Sequence, residues 1–450
     1  MKSAAVSRTP PKPRATSRSH LVQPASANEI VKMVTNPRRY PSPMRVSGSG
    51  SAATRCADAP GGTSIDLSNM SRVLRIDPTS VTVQPGIKLV ELADILGTKG
   101  LELVGGFDLA NRTVGGAVSA AGLEAASADA AATFLSSVQQ IKFITADGRK
   151  AYVSTKNANL LRLMRMSYGL LGIAYEITLR VRPIQSFAIR TANIEFADLP
   201  VLLDQIGTSE SGLKLRLFPF RNKIQCEFRD ISTTGETGTY LAWRLKSWVV
   251  NNALPGAAYA LAKVMPLRQL RYPLVDTLSE SAGNLVGLGA FNAGSVATEQ
   301  LTQTNVFNRS RIEHSTWAFS ERTFADVANA YVEFCQQHYD RTGFRCDSPA
   351  VSYRIRKDTS ALLAPSFAES VISLTALTNS ANGWEDYGFE FAHLAARHKG
   401  IPLFSQSQHL APDMATQGLG QRLGFFKKAR YKFDPDNRFL NPFFASYMLD

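Results

Sequence analysis

Apolar and polar positions alternate along several short segments in the first 185 residues. The segments P-M-R-V-S, T-S-I-D-L-S and S-V-T-V-Q-P-G predict strands separated by turn residues. A-N-E-I-V-K-M-V and K-L-V-E-L-A-D-I-L-G-T-K-G have apolar residues at helical spacing, and the second helix is predicted to end at Gly97 or Gly100. Q-Q-I-K-F-I-T-A-D-G-R-K-A-Y-V predicts a hairpin, and A-Y-E-I-T-L-R-V-R-P a strand ending at Pro183. Residues 26–183 are therefore predicted to form one α+β unit.

From about residue 184 the alternating segments become longer, as in L-K-L-R-L-F-P-F, K-I-Q-C-E-F-R, A-V-S-Y-R-I-R and V-I-S-L-T-A-L. They predict a second domain over residues 184–425, built on an antiparallel sheet flanked by helices. Residues 241–264 interrupt this pattern with aromatic and basic side chains. A helix pair packed on its own domain is the favoured interpretation, and a membrane surface or a partner is the alternative. The segment contains Trp243, Trp248, Tyr259, Arg244, Lys246 and Lys263.

The chain has 450 residues, which suits two domains, and 44% of them are hydrophobic. No apolar run is long enough to span a membrane. Residues 1–25 are basic, rich in Ser and Pro and without acidic residues. A disordered tail on a cytoplasmic protein is the favoured interpretation, and an organelle transit peptide is the alternative.

Charge and cysteine content exclude few classes of protein. The net charge is +13, but the basic residues are spread along the chain without a nucleic-acid-binding motif, which favours a generally basic surface. The four cysteines are scattered, as is typical of free thiols in a reducing compartment. Residues of the types that bind zinc occur at Cys335, His338 and Cys346, but the sequence has no second pair of ligands to complete such a site. Ordinary cysteines and no metal are therefore expected.

The standard catalytic motifs are absent: there is no P-loop, G-x-G-x-x-G, H-E-x-x-H or G-x-S-x-G sequence. Three glycine turns remain unexplained: G-S-G-S at 48–51, T-V-G-G-A-V-S-A-A-G at 113–122 and Y-G-L-L-G-I-A at 168–174. Each alone is compatible with turn packing. Together they offer backbone N–H groups at three places, which suits a long phosphate-containing ligand lying against bare backbone.

The order of these segments resembles a known family. The segments, in chain order, are V-S-G-S-G-S, G-G-T-S-I-D-L-S-N-M-S-R-V-L-R-I-D, V-T-V-Q-P-G, T-V-G-G-A-V-S, I-T-A-D-G and G-L-L-G-I-A-Y-E-I-T-L-R-V-R-P. Together they are similar to the FAD-binding domain of the vanillyl-alcohol oxidase/p-cresol methylhydroxylase (PCMH) superfamily. The ending K-F-D-P-D-N-R-F-L-N-P-F-F resembles its aldonolactone and alditol oxidase branch.

The resemblance implies an FAD-binding domain of two α+β subdomains, a substrate domain over the flavin, and a segment 426–450 that returns to the FAD domain. It also implies the residues that contact FAD. The first turn would wrap the pyrophosphate, and residues 113–119 of the second would line the flavin and ribityl side. Gly122, at the end of the second segment, would join the third turn in contacting the adenine half or the chain nearby, and the last residue would reach back to the flavin region. These residues are Gly48, Ser49, Gly50 and Ser51; Thr113, Val114, Gly115, Gly116, Val118 and Ser119; Gly122, Gly172 and Ile173; and Asn441.

The sequence departs from the family at the covalent flavin link. Many relatives read G-S-G-H-S and join that histidine to the flavin, whereas this chain has Ser51 at that position. The later T-G-T-H-G stretch of relatives is A-A-G-L-E here, at residues 120–124. We therefore expect FAD to be bound without a covalent bond, and its flavin to be the weaker oxidant.

The substrate domain departs further. A Glu-Ile-Arg strand and a His-Trp-Gly-Lys segment of alditol oxidases match Arg354-Ile355-Arg356 and Leu403-Phe404-Ser405-Gln406 here. Residues at i and i+2 of a strand share a face, so Arg354 and Arg356, with Gln406, are predicted to bind an anionic substrate group such as a carboxylate or phosphate. Surface arginines on an outer strand are the alternative.

Two residues are candidates for the catalytic base. His409 follows the second segment closely and is a candidate because histidine as a residue type often serves as a base, although an incidental loop histidine is the alternative. Tyr353 alternates to the opposite face from Arg354 and is the next candidate. His393 and His398 lie on a predicted helix and are interpreted as surface residues.

The resemblance implies an FAD-linked oxidase or dehydrogenase. It would take a small molecule with a CH–OH group, sugar-like, lactone or hydroxy acid, and pass a hydride to flavin N5. Molecular oxygen or another molecule would be the acceptor, and Gly115 in place of the common alanine favours oxygen because a small residue leaves space beside the flavin. A catalytically inactive flavin-fold accessory protein is the alternative, since the histidine, glutamate and lysine are all absent.

Overall fold

A computed structural model describes residues 19–120, 133–231 apart from 208 and 210, five positions between 257 and 265, and residues 268–287, 295–297 and 312–449. Gly122 and nearly all of the segment 241–264 lie outside these described residues, so the predictions made for them stay predictions.

The first half of the chain forms two sheets. A three-stranded parallel sheet has the order β1-β3-β2, and a six-stranded antiparallel sheet has the order β4-β5-β9-β7-β8, with β6 paired to β9. The strands are β1 (His20–Val22), β2 (Met44–Ser47), β3 (Thr63–Asp66), β4 (Val73–Asp77), β5 (Ser80–Val83), β6 (Leu101–Leu103), β7 (Val138–Ile144), β8 (Lys150–Ser154) and β9 (Ile173–Pro183).

The second half forms one eight-stranded sheet with the order β13-β10-β12-β11-β15-β16-β14-β17, and its pairs are antiparallel. The strands are β10 (Ser186–Ile194), β11 (Gly212–Phe218), β12 (Lys223–Ile231), β13 (Ser295–Ala297), β14 (Glu313–Ser320), β15 (Ala350–Ile355), β16 (Val371–Thr378) and β17 (Ile401–Pro402).

The described helices surround these sheets. The first begins with a side-chain cap, in which Ser26 Oγ accepts from Glu29 N at 3.3 Å and donates to the Glu29 carboxylate. The helices are α1 (Ala27–Val34), α2 (Leu89–Gly97), α3 (Val114–Ala120), α4 (Phe134–Ser137), α5 (Ala158–Met164), α6 (Leu199–Ile206), α7 (Arg268–Gly287), α8 (Phe324–Thr342), α9 (Trp384–Arg397), α10 (Pro412–Leu419), α11 (Gln421–Phe433) and α12 (Pro442–Met448).

The large sheet has two faces of different chemistry. On β11, Leu213, Leu215 and Leu217 point into a core shared with α6, α8 and α9, while Lys214 and Arg216 point to the opposite face. The register places Glu227 of β12 and Tyr353 of β15 directly across from Lys214, on that same polar face. Alternation along the strands therefore gives one apolar face covered by helices and one polar face.

The α+β class, the strands and the antiparallel second sheet are confirmed, but two local expectations are wrong. His20–Val22 lies within the predicted tail 1–25 and pairs with β3 instead, so the folded chain begins before Ser26. The second glycine segment, predicted as a turn, is helical from Val114 because Gly116 N donates to Thr113 Oγ1 at 3.2 Å, which caps the first helical turn.

Candidate functional site

The first glycine turn presents unbonded backbone donors. The turn directly follows β2. Gly48, Ser49 and Gly50 are exposed, and Gly50 has φ +67°. None of the N–H groups of residues 48–52 donates to an acceptor in the part of the chain that the structure describes. Successive free N–H groups beside a left-handed residue form a concavity suited to an anion.

The second glycine segment lies directly against the first. A Cβ atom on Gly48 would stand 2.5 Å from Thr113 Oγ1 and 3.8 Å from Gly116 Cα, so a side chain at position 48 would collide with the start of α3. Val114 and Val118 are fully buried and anchor α3 in the core. The fold therefore brings the two predicted cofactor segments together at one place.

The third glycine turn packs on the end of the same helix. Met166 N donates to Val118 O at 2.8 Å, and Tyr168 N donates to Ser119 O at 2.7 Å. At Gly172 a Cβ atom would meet Phe143 Cδ2 at 2.6 Å, and the Ile173 side chain is buried in a core cluster. Gly172 and Ile173 thus contact the chain nearby, and their contact with a cofactor stays a prediction.

Gly115 lies against protein, not beside open space. Its N–H donates to Pro85 O at 2.8 Å, and a Cβ atom would stand 2.8 Å from Pro85 Cβ. Glycine is required at this position by that close approach. The expectation that Gly115 leaves space for oxygen is therefore wrong as a reason for preferring an oxidase.

Ser51 is tied to the C-terminal half of the chain through Gln406. Gln406 Nε2 donates to Ser51 O at 3.3 Å, and Gln406 Oε1 lies 2.9 Å from His314 Nε2. Both side chains are buried. Because the amide oxygen accepts, His314 carries a proton on Nε2. His314, which the sequence analysis did not single out, is thus placed next to the glycine turn.

Neighbouring backbone contacts strengthen this junction. Ala53 N donates to Ser405 O at 2.8 Å, and Thr54 Oγ1 donates to Phe404 O at 2.6 Å. The segment around Gln406 therefore lies beside the first glycine turn.

Asn441 holds the next part of the same loop. Its Nδ2 donates to the carbonyl oxygens of Arg55, Cys56 and Asp58 at 3.2, 3.3 and 2.8 Å, and its Oδ1 accepts from Phe444 N at 3.0 Å. The amide is thus fully used by the protein. Asn441 positions the chain that follows the glycine turn and caps α12.

A buried charge network joins the polar sheet face to the first domain. Arg229 donates to both oxygens of Asp108, at 2.8 and 3.2 Å, and to Glu227 Oε1 at 3.0 Å. Burial opposes ionisation of Asp108, but the attraction of Arg229 and Lys214 outweighs it and holds the pKa of Asp108 below its usual range. Burial likewise works against the Arg229 cation, yet Asp108 and Glu227 raise its pKa. The network links the two domains at one edge of the polar face.

Tyr353 and Lys214 lie next to this network. Lys214 Nζ is 4.0 Å from Asp108 Oδ1 and 5.4 Å from the centre of the Tyr353 ring, a cation–π distance. The Tyr353 hydroxyl has no hydrogen bond to any residue that the structure describes. Tyr353 lies on the opposite face from Arg354, as predicted.

The prediction that Arg354 binds substrate is wrong. Arg354 projects from the apolar face of central strand β15, where Nε donates to Glu321 Oε1 at 2.7 Å and the two terminal nitrogens donate to Ser209 O and Gly207 O at 2.9 and 3.0 Å. Each of its three guanidinium nitrogens donates a hydrogen bond inside the protein. Arg356, two positions on, shares this side and lies just past the end of β15.

The placement of His409 argues against a catalytic role. Its ring lies against α9, with Nε2 3.9 Å from the exposed Glu385 carboxylate and the ring of Phe389 at 6.1 Å. Helix α9 covers the apolar side of the sheet, so His409 faces away from the polar face. His393 is exposed on α9, as predicted.

Other candidate chemistry finds little support in the described part of the chain. No group of three or more metal-ligating side chains is present there, and Cys335 Sγ instead lies 3.3 Å from the Tyr387 hydroxyl. Among the described helices, none has the length and apolarity needed to cross a membrane.

Comparison with known proteins bears on this geometry. Residues 19–152 match the family described as an FAD binding domain. The chain is 27% identical over 211 residues to L-gulono-1,4-lactone dehydrogenase of Mycobacterium tuberculosis, covering 46% of this chain and 47% of the dehydrogenase. It is 23% identical over 234 residues to D-arabinono-1,4-lactone oxidase of Saccharomyces cerevisiae, covering 49% of this chain and 43% of the oxidase. The chain thus spans about half the length of the curated relatives it matches.

The fold extends further than this sequence similarity. The crystal structure of cholesterol oxidase from Brevibacterium sterolicum superposes with a TM-score of 0.71 over 99% of this chain and 100% of that one, at 13% identity. At this identity the likeness shows a shared fold, including the second sheet.

Proposed function

Because residues 19–152 form an FAD-binding domain of the PCMH-type family, we propose that the protein is an FAD-dependent oxidoreductase. It oxidises a CH–OH group of a sugar-like, lactone or hydroxy-acid substrate, and it holds FAD without a covalent bond. The observation that carries the proposal is the meeting of three glycine segments around unbonded N–H groups, beside a polar sheet face. A catalytically inactive accessory protein is the competing function.

The chain's residues fit the cofactor. The N–H groups of residues 48–52 would hold the pyrophosphate, and the start of α3 would lie along the flavin side. Ser51 has a hydroxyl in place of the linking histidine of relatives, so its side chain cannot form a histidyl bond. When bound, FAD supplies the acceptor for the hydride that leaves the substrate carbon.

The polar face supplies groups for the substrate. Oxidation of CH–OH to a carbonyl releases a hydride and a proton, and the proton must leave through a group that contacts the hydroxyl. We assign this contact to the Tyr353 hydroxyl, which would accept the proton while passing its own to water. This hydroxyl makes no hydrogen bond within the described chain and lies on the face that the first domain covers. Gln406 shapes the edge of the site next to Ser51.

Purification tests the proposal directly. A yellow protein with a flavin spectrum that is bleached anaerobically by an alcohol, lactone or hydroxy acid supports an enzyme. Flavin that no such compound reduces, although dithionite does, supports the accessory protein. A colourless protein that does not take up added FAD refutes both the cofactor and the oxidation chemistry. After acid precipitation all flavin is expected in the supernatant, and flavin in the pellet would contradict non-covalent binding.

A further inference from the structure

The polar sheet face carries a pair of cations that the proposed chemistry has not used. Lys214 and Arg216 project from the same side of β11, about 7 Å apart along the strand. We infer that Lys214 and Arg216 bind a carboxylate group of the substrate, so that the natural substrate is a hydroxy acid. This inference rests on the proposed function and names its substrate class.

The hydrogen-bonding capacity of both side chains is largely free. Lys214 is 6% exposed, yet its ammonium makes no hydrogen bond with a described residue, and the Asp108 oxygen at 4.0 Å is beyond hydrogen-bond distance. The half-buried Arg216 donates one bond, to Gln225 Oε1 at 3.1 Å. Among described residues no carboxylate lies within ion-pair distance of its guanidinium. A buried ammonium without an acceptor, beside a half-buried guanidinium with unused donors, favours an incoming oxygen ligand.

The charge balance of the face specifies an anion. Arg229, Lys214 and Arg216 contribute three positive charges, and Asp108 and Glu227 contribute two negative charges, both of which already contact Arg229. Among these five described side chains, the Arg216 guanidinium is the cation without a carboxylate within ion-pair distance. A monoanionic carboxylate neutralises it, and a guanidinium can bind a carboxylate through two parallel bonds.

The position on the sheet is suitable for substrate. Arg216 is in register with Val351 of β15, which pairs with Thr375 of β16 and through it with Thr316 of β14. His314, the partner of Gln406, lies two residues before Thr316 on β14 and therefore on the same face. Three strand spacings, about 14 Å, therefore separate Arg216 from Thr316, and His314 lies about 7 Å further along β14.

The test uses the FAD-loaded full chain and paired compounds that differ in charge. Each 2-hydroxy or polyhydroxy acid, such as lactate or L-gulonate, is compared with its neutral methyl ester or lactone. Kd is read from flavin absorbance changes and calorimetry, and the reduction rate from anaerobic stopped flow. The acids are expected to bind more tightly than their neutral partners.

Two variants locate the effect. Lys214→Met and Arg216→Met are each expected to raise Kd for the acids about tenfold or more while leaving the neutral compounds unchanged. Lys214→Arg should retain acid binding. Arg190→Met is the matched control, because Arg190 lies on the other face of β10 and is 65% exposed. FAD content and melting temperature identify variants that fail to fold.

The outcomes separate this inference from the proposed function. Flavin reduced equally well by acids and neutral compounds, or acid binding unchanged in both methionine variants, overturns the inference and leaves the oxidoreductase intact. If no compound reduces the flavin, the proposed function fails, and the binding measurements still decide: charge-dependent binding lost in Arg216→Met supports the anion site, and its absence refutes it.

Discussion

Removing Arg229 is predicted to destabilise the folded protein strongly, because the side chain neutralises two buried carboxylates. Asp108 and Glu227 are 3% and 4% exposed, and their contacts with Arg229 are 2.8–3.2 Å long. Arg229→Met keeps much of the side-chain length but removes the cation that contacts both carboxylates. Breaking one partner of a buried ion pair costs about 3–5 kcal/mol of unfolding free energy.

The expected change in melting temperature follows from the chain length. An unfolding entropy of about 2.1 cal/mol/K per residue gives roughly 0.9 kcal/mol/K for a chain of 450 residues. A loss of about 4 kcal/mol therefore lowers the melting temperature by about 4 °C. Differential scanning calorimetry of the FAD-loaded protein measures this shift. Arg190→Met, which breaks an exposed ion pair with Asp230, is the control and should change the free energy by about 1 kcal/mol or less.

The pH dependence of the loss tests its cause. In the wild type the pKa of Asp108 is lowered, so its stabilisation is fully present above the unfolded value of about 3.9 and is lost as the pH falls through the folded value. Without Arg229, burial raises that pKa instead. The Arg229→Met variant should then be most destabilised near neutral pH and should approach the wild type as the pH falls and Asp108 takes up a proton. A penalty below about 1 kcal/mol, or one that is constant between pH 5 and 8, would refute the reasoning.

Three further substitutions test other parts of the site. Gly48→Ala places a Cβ atom 2.5 Å from Thr113 Oγ1 and is expected to raise the Kd for FAD at least about tenfold, measured by titration of the apoprotein. Tyr353→Phe is expected to slow flavin reduction in stopped flow by about a hundredfold with FAD affinity unchanged, and an unaltered rate would exclude its role in proton transfer. Asn441→Ala removes three donated bonds and a helix cap, and thermal unfolding should show a loss of about 2–3 kcal/mol.

Alternation along the chain was sufficient to predict the strands but not the environment of each face. The segment A-V-S-Y-R-I-R places Tyr353 and Arg354 on opposite faces, and the structure agrees. Which face meets the FAD-binding domain depends on the neighbours β11 and β16 and on the helices that cover the sheet, and these are long-range properties. Arg354 was assigned to the wrong environment for this reason.

A signal for Lys214 and Arg216 was nonetheless present in the sequence. L-K-L-R-L-F alternates leucines with cations, and K-I-Q-C-E-F-R alternates apolar residues with amide and charged ones. An edge or solvent-facing strand gives the same pattern, so alternation alone does not distinguish a solvated face from a buried polar one. The structure distinguishes the two cases, because Lys214 is buried and lies 4.0 Å from Asp108, a residue distant in the sequence.

The glycine turn predicted to bind the cofactor is not held in its conformation by hydrogen bonds of its own N–H groups. Glycine and serine lose much conformational entropy when ordered, and no N–H of residues 48–52 is bonded to described protein. Instead, Gln406 Nε2 donates to Ser51 O, and Thr54 Oγ1 donates to Phe404 O. These partners are separated by 355 and 350 residues along the chain. Ordering of the turn therefore depends on docking of the second domain and the C-terminal segment, so the FAD-binding fold and the substrate face form as one cooperative unit. Since Gln406 contributes to that docking by holding Ser51 O, a change at Gln406 is expected to act on cofactor affinity before it acts on substrate.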